Sequence, residues 1–203
     1  MCVDTSLLYD HAFFQKHSTW QRDYIRIADA LSGTLEFDTV LDLGCGNAYI
    51  IERLLYLGKK VHGIEGSACA FDVMSPRIKK LVQLRDLTVP LFIARFDMVI
   101  CTEVAEHLLP DYADILVDTI CANSLRYVYF TAATPGQGGQ FHFNEQPHEY
   151  WKQKFSARGY IYSKDITRRL RGELKSCVQK TRWLVRNSLI FLAPSLNLPE
   201  KCY

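Results

Sequence analysis

Three groups of residues have the types and spacing for chemistry. The first is a tight turn, Asp42-Leu43-Gly44-Cys45-Gly46, with Glu65 and Gly66 some way downstream. Its two glycines let the backbone approach a ligand closely, and a helix beginning near Ala48 would aim free N–H groups at that ligand. A dinucleotide turn needs a third glycine, and that position holds Tyr49, whose side chain obstructs both a pyrophosphate and close helix packing. The Gly-Lys-Ser/Thr ending of a phosphate-cradling loop is also missing. Asp42 puts a carboxylate just ahead of the turn, which suits a ligand that lacks phosphates and has a cationic amino acid end. S-adenosylmethionine (SAM) is such a ligand. Glu65, placed at the end of the next strand, has two carboxylate oxygens for the two ribose hydroxyls, and Gly66 lets the backbone turn there.

The second group is Glu103-Val104-Ala105-Glu106-His107, and the third is His142, Glu145 and His148 with Asn144 and Tyr150-Trp151 beside them. A sulfonium ligand such as SAM would serve methyl transfer, an in-line displacement in which much of the work is positioning and a base is needed only when the acceptor carries a proton. His107 is the first base candidate because it follows the C-terminal end of a strand, where open α/β sheets bind ligands. Its other reading is as a cap that orders the short helix from Val104. His142 is the second candidate. Glu103 is expected to meet the methionine end of SAM and Glu106 to face solvent. The three-residue step from Glu103 to Glu106 with the neighbouring His107 puts ligands on one helical face, and with His142 these residues have the types for a metal site. No metal ligand is assigned.

The elements that must position these residues follow from periodicity. Apolar spacings of three and four predict N-terminal helices over Leu7 to Phe14 and Tyr24 to Leu31. Val40-Leu41, Lys60 to Ile64, Leu81 to Leu84, Phe96 to Thr102 and Tyr127 to Ala132 read as strands. Tyr49 to Leu57 and Tyr112 to Asn123 read as helices between them, and Ala68 to Lys80 as a helical stretch broken at Pro76. After the Gly-rich stretch Pro135 to Gln140, a helix is expected over Tyr150 to Arg158. Strands are expected at Tyr160 to Ser163 and Ser188 to Leu192. Alternating strands and helices predict an α/β, doubly wound sheet with helices on both faces, the last strands forming an antiparallel edge.

These segments together resemble the class I, Rossmann-like SAM-dependent methyltransferases from about Tyr9 to Leu192. Val40 to Gly46 is similar to motif I and Ile64-Glu65-Gly66-Ser67 to the ribose motif. Asp86-Leu87 resembles the adenine motif, in which the acid meets the adenine amino group and the next residue packs on the ring. Phe96 to His107 resembles the fourth strand with the Glu-Val-x-Glu-His segment of the branch acting on small molecules. The resemblance implies a seven-stranded Rossmann-like sheet, mostly parallel with an antiparallel edge strand. It also implies SAM as cofactor, bound by Asp42, Gly44, Cys45, Gly46, Glu65, Gly66, Asp86, Leu87 and Glu103. Ala48 stands where the family often has a third motif I glycine. The stretch Gly138 to Asn144 resembles segments that cover the acceptor pocket in some small methyltransferases. Small-RNA 3′-terminal 2′-O-methyltransferases also use a Glu-x-x-Glu-His arrangement, with metal, but it occurs in metal-free small-molecule enzymes as well, and the surrounding His pattern of the RNA enzymes matches this chain poorly.

The 203 residues suit one domain, 1–203, with a helical cap over 1–35 and a Rossmann-like core over 36–203. Hydrophobic residues at 48% and charged residues at 23% exclude disordered and fibrous classes. A net charge of +2 disfavours a nucleic-acid partner held by bulk charge, and no apolar run is long enough to span a membrane. Arg168, Arg169, Arg171, Lys175, Lys180, Arg182 and Arg186 form a basic run, read either as an acidic-partner surface or as a solvated helix face. Seven scattered cysteines without a Cys-x-x-Cys pair point to free thiols and a cytoplasmic protein. Tyr9, Phe13, Phe14 and Trp20 are read either as a cover over the cofactor or as the packed face of a helix. The expected function is transfer of a methyl group from SAM to an O or N atom of a small molecule. A metal-dependent RNA 2′-O-methyltransferase and a catalytically silent SAM-binding partner protein are the alternatives. Oligomeric state leaves no trace in the sequence.

Overall fold

The structure is a computed structural model, and it describes residues 8–194. Its elements run α1 (His11–Ser18), α2 (Gln21–Thr34), β1 (Thr39–Leu43), α3 (Tyr49–Tyr56), β2 (Lys60–Glu65), α4 (Pro76–Lys79), β3 (Val82–Leu84) and β4 (Phe96–Thr102). Then follow α5 (Ala113–Asn123), β5 (Ser124–Thr131), α6 (His148–Ser156), β6 (Ile161–Tyr162), α7 (Lys164–Cys177), α8 (Arg182–Asn187) and β7 (Leu189–Leu192).

The seven strands form one sheet in the order β3-β2-β1-β4-β5-β7-β6. The first five are parallel, and β7 runs antiparallel between β5 and β6. The expected antiparallel strand is therefore β7, one place in from the edge, with the two-residue β6 outside it. Consecutive strand residues face opposite sides of the sheet. Val40, Met98, Ile100 and Ile190 pack with α1, α2, α3, α7 and α8, whereas Leu41, Leu43, Val99, Val128 and Phe191 pack with α5 and α6. Helices cover both faces, so the central strands are buried on both sides and read as near-continuous apolar runs.

Chain order reverses between β1 and β4, and the carboxyl ends of the strands at such a reversal are where open α/β sheets bind ligands. Register sets Asp42 between Gly63 of β2 and Ile100 of β4, so the ends of β1, β2 and β4 share one edge. Asp42, Glu65 and Glu103 stand on that edge.

Local chemistry explains where the observed elements depart from the periodicity. The expected helix is interrupted at Tyr9 and Asp10, between helical Leu8 and α1, where the Asp10 side chain accepts from Phe13 N at 2.9 Å and caps α1. Leu7, part of that expectation, lies outside the described residues. Pro76 begins α4 instead of merely breaking a longer helix, with Ser75 as its cap. The basic run falls partly on α7, whose Leu170 and Leu174 are buried while Arg168 pairs with Asp165 at the surface. Among the described residues, no helix is long and apolar enough to cross a membrane.

Candidate active site

The turn after β1 is pinned to β2, since Gly44 N and Cys45 N both donate to Ile64 O at 2.8 and 3.0 Å. Gly44 has φ 73°, and a Cβ there would sit 2.4 Å from Val104 Cγ2, so both conformation and space require glycine. Ala48 takes φ 60° at the start of α3, the left-handed conformation that a glycine would adopt more freely. Among the described residues, Ala48, Glu103 and Phe141 are the non-glycine residues with positive φ, and all three border this site. Such local strain concentrates where structure serves a ligand or reaction.

Glu65 is buried, and its carboxylate accepts from Gly46 N at 2.7 Å and from Gly66 N and Ser67 N at 2.8 Å each. Burial raises its pKa, and these three bonds oppose that rise. A carboxylate has about four acceptor positions, so roughly one remains for a ligand hydroxyl. Asp42 is also buried, and its Oδ1 has no hydrogen-bond partner. Burial first, and the charge of Glu65 second, push its carboxyl up to about 8. Two buried acids side by side favour a ligand that brings positive charge. Cys45 is half-buried in the turn, and burial pushes its thiol well above the usual range. Beyond β3, Asp86 Oδ1 accepts from Thr88 N and Thr88 Oγ1 at 2.7 Å each, and Leu87 is buried.

At the end of β4, Glu103 N donates to the Thr131 backbone oxygen and to Thr131 Oγ1, both at 3.0 Å. The Glu103 carboxylate accepts from Gln137 Nε2 and Asn187 Nδ2, each at 3.1 Å, and Asn187 Nδ2 also bonds Gln137 Oε1 at 2.9 Å. Glu106 does not face solvent as expected. It is fully buried, because the loop after β5 closes over it: Phe143 N and Asn144 N donate to its backbone oxygen, and Ala133 N donates to Oε1 at 3.1 Å. Its Oε2 accepts no hydrogen bond. Burial first, then the charge of Glu103, hold this carboxyl well above the usual range.

His107 ends a short 3-10 turn, Ala105–His107, and its Nδ1 lies 3.1 Å from Phe141 O. A carbonyl only accepts, so Nδ1 carries the proton and Nε2 keeps the lone pair. Burial first, and His142 second, lower the His107 pKa to about 4, which leaves the ring neutral. His142 Nδ1 lies 2.8 Å from Glu145 Oε1, and the same carboxylate accepts from Gly136 N and Gly138 N at 2.8 Å each. The two imidazoles meet edge to face with centroids 4.9 Å apart. Glu106, His107 and His142 each bring one potential ligand atom within 4.8 Å of the others, and neither Glu103 nor His148 belongs to this group.

The N-terminal segment closes the site. Tyr9 meets the His107 and Phe141 rings edge to face, its backbone oxygen accepts from Ser67 Oγ at 2.8 Å, and its buried hydroxyl has no partner. Burial, then the charges of Glu106 and Glu65, raise the Tyr9 pKa. Asn47 Nδ2 donates to Phe14 O at 3.0 Å, and Tyr49 OH donates to Ser18 Oγ at 3.0 Å. Tyr9 thus lies against His107 and Phe141 while Phe14 packs into the core. The sequence reading gave Ser67 only as the last residue of the ribose motif and gave no role to Asn47, Gln137 or Asn187. Only Ser67, adjacent to Glu65 and Gly66, had a usable signal.

Comparison with known proteins bears on this geometry. Residues 41–120 match the family model described as a methyltransferase domain. No curated protein matches the chain. Among solved structures, magnesium protoporphyrin IX methyltransferase from Synechocystis PCC 6803, with bound SAH, is 15% identical. The match covers 85% of this chain and 83% of that one with a TM-score of 0.62. The O-methyltransferase of a trans-AT PKS multienzyme from Brevibacillus brevis, in complex with S-adenosyl-L-homocysteine, is 16% identical. There the coverage is 96% and 80% and the TM-score 0.58. The [4+2]-cyclase SpnF is 14% identical, covering 84% and 80% with a TM-score of 0.58. Residues 41–120 are therefore similar to a methyltransferase domain, and the chain has the fold of the class I, Rossmann-like SAM-dependent methyltransferases.

Proposed function

We propose that this chain, as one domain with a helical cap, transfers the methyl group of SAM to an oxygen or nitrogen atom of a small-molecule acceptor. The observation that carries the reading is the pair of buried carboxylates, Asp42 and Glu65, flanking a glycine turn at the crevice of the sheet. Asp42 offers an unpaired oxygen to the cationic amino acid end of SAM, with Glu103 held nearby on the same edge by Gln137 and Asn187. Glu65 receives a ribose hydroxyl, and Gly44, Cys45, Gly46 and Gly66 supply backbone around it. Asp86 and Leu87 flank the adenine.

In the reaction the acceptor lone pair forms a bond to the methyl carbon. The carbon–sulfur bond breaks with its electron pair going to sulfur, which leaves neutral S-adenosylhomocysteine, and a protonated acceptor loses its proton. His107 and His142, with both Nε2 lone pairs unclaimed by the bonds at Nδ1, are the side chains that handle that proton. Tyr9 and the loop from Pro135 to Asn144 enclose a small acceptor. Much of the basic run is committed within the chain, since Arg169 binds Thr34 O and Arg171 binds Ser188 O, which leaves little for an RNA backbone. Five described cysteines are free thiols, in keeping with work in the cytoplasm.

A catalytically silent SAM-binding protein is the second reading, since one fold hosts several functions. A screen of small hydroxyl and amine acceptors for S-adenosylhomocysteine release separates the two. Acceptor-dependent release supports the enzyme, and tight SAM binding with no release from any acceptor supports the silent protein.

A further inference from the structure

We propose that Glu106, His107 and His142 bind one divalent transition-metal ion of the zinc or manganese class. One ligand atom from each lies within 4.8 Å of the others. Three points no farther apart than 4.8 Å lie within about 2.8 Å of a common centre, against ~2.0–2.2 Å for a zinc bond to nitrogen or oxygen, so small side-chain rotations complete the shell.

Each ligand is prepared by a separate feature of the fold. The His107 Nδ1–H is held by Phe141 O and the His142 Nδ1 by the Glu145 carboxylate, which leaves Nε2 of both rings available. Metal-bound imidazoles characteristically have their other nitrogen held by a carbonyl or carboxylate in this way. Glu106 is fully buried, and its Oε2 has no hydrogen-bond donor, so a cation would supply the partner that the protein withholds. Gly139 keeps space beside the third ligand, because a Cβ there would lie 2.2 Å from His142 Nε2.

Two imidazoles and one carboxylate favour zinc, manganese or a similar ion over magnesium and calcium, which prefer all-oxygen shells. Three protein ligands leave coordination positions open. What the ion does there, though not its binding, rests on the methyltransferase reading: it would orient a hydroxyl acceptor and lower its pKa. With the ion bound, the Nε2 lone pairs of His107 and His142 are committed to it as neutral ligands, and the ion in place of a ring base would ease loss of the acceptor proton.

The test uses the full chain, stripped with EDTA and dialysed, then titrated with Co²⁺ in a spectrophotometer and with Zn²⁺ in a calorimeter. We expect one equivalent of each, and visible cobalt bands of nitrogen and oxygen ligation without a thiolate charge-transfer band. His107→Ala, His142→Ala and Glu106→Gln should each weaken Zn²⁺ binding at least about tenfold, with Glu149→Gln as the unaffected control. No stoichiometric uptake, uptake unchanged in both histidine variants, or a thiolate band would overturn the site. Should a variant fail to fold, the wild-type cobalt spectrum still reports the ligand type and decides. SAM titrated into the metal-free protein keeps the two ideas apart. SAM binding without metal uptake overturns the metal site alone, and metal uptake without SAM binding overturns the methyltransferase reading alone.

Discussion

Glu145 and His142 form a 2.8 Å bond between Oε1 and Nδ1, and the same Glu145 carboxylate ties down Gly136 N and Gly138 N. One side chain therefore sets the orientation of a site imidazole and the path of the glycine-rich loop around it. Removing a carboxylate that orients a working histidine typically costs 10–100-fold in activity or metal affinity. Glu145→Ala should lower turnover by roughly that factor while SAM affinity stays near wild type. Equal turnover in the variant would remove His142 from the reaction.

Gly44→Ala tests the turn. The left-handed backbone costs an alanine about 1–2 kcal/mol. Crowding against Val104 Cγ2, 2.4 Å from the new methyl, adds roughly 1–3 kcal/mol. The urea midpoint should fall accordingly. Adding Val104→Ala should recover the crowding part and not the backbone part, so recovery in full, or none, contradicts the geometry.

Much of this architecture was legible from residue order, and the limits have physical causes. The strands that lead to Asp42, Glu65 and Glu103 are buried on both faces, so their apolar runs stand out, and the glycine turn follows directly from its residues. Glu106 was misjudged because its burial comes from the loop at Phe143 and Asn144, far along the chain. Gln137 and Asn187 carry no local signal at all. They matter only because α8 and the loop after β5 meet at Glu103. The single cap residue Asp10 begins α1 inside a stretch whose apolar spacing reads as one helix, so one local hydrogen bond outweighs the spacing there.

The titration of Asp42 gives a pH prediction with a definite sign. In the free protein its carboxyl is raised to about 8, so it is largely protonated at neutral pH. A cationic group docking on it favours the ionised form, and binding must release a proton. SAM affinity should therefore rise as pH climbs toward 8, and calorimetry in buffers of different ionisation enthalpy should record proton release. Asp42→Asn should abolish the release. Proton uptake on binding would count against Asp42 as the partner of the cationic end.

Asp23 ties α2 to the segment entering α8. Burial raises its pKa, but bonds from Thr181 N, Gln179 N and Lys180 N outweigh that and hold the carboxyl below its usual 3.8. A folded-state pKa below the unfolded one contributes stability above the usual value, lost as pH falls through the folded value. Stability measured by urea should drop beneath pH 3.8 more steeply in wild type than in Asp23→Asn. At neutral pH, Asp23→Ala should cost roughly 2–4 kcal/mol, because it strands buried N–H groups. A variant as stable as wild type at neutral pH would deny Asp23 this role.

The central claim is that the crevice at Asp42, the glycine turn and Glu65 holds SAM, and calorimetric titration of wild type and Glu65→Ala with SAM tests it most directly. Wild type should bind one equivalent. Glu65→Ala should lose roughly 1.5–3 kcal/mol, the worth of hydrogen bonds to a charged group, or about ten- to 150-fold in affinity. No SAM binding by wild type, or undiminished binding by Glu65→Ala, would contradict the account.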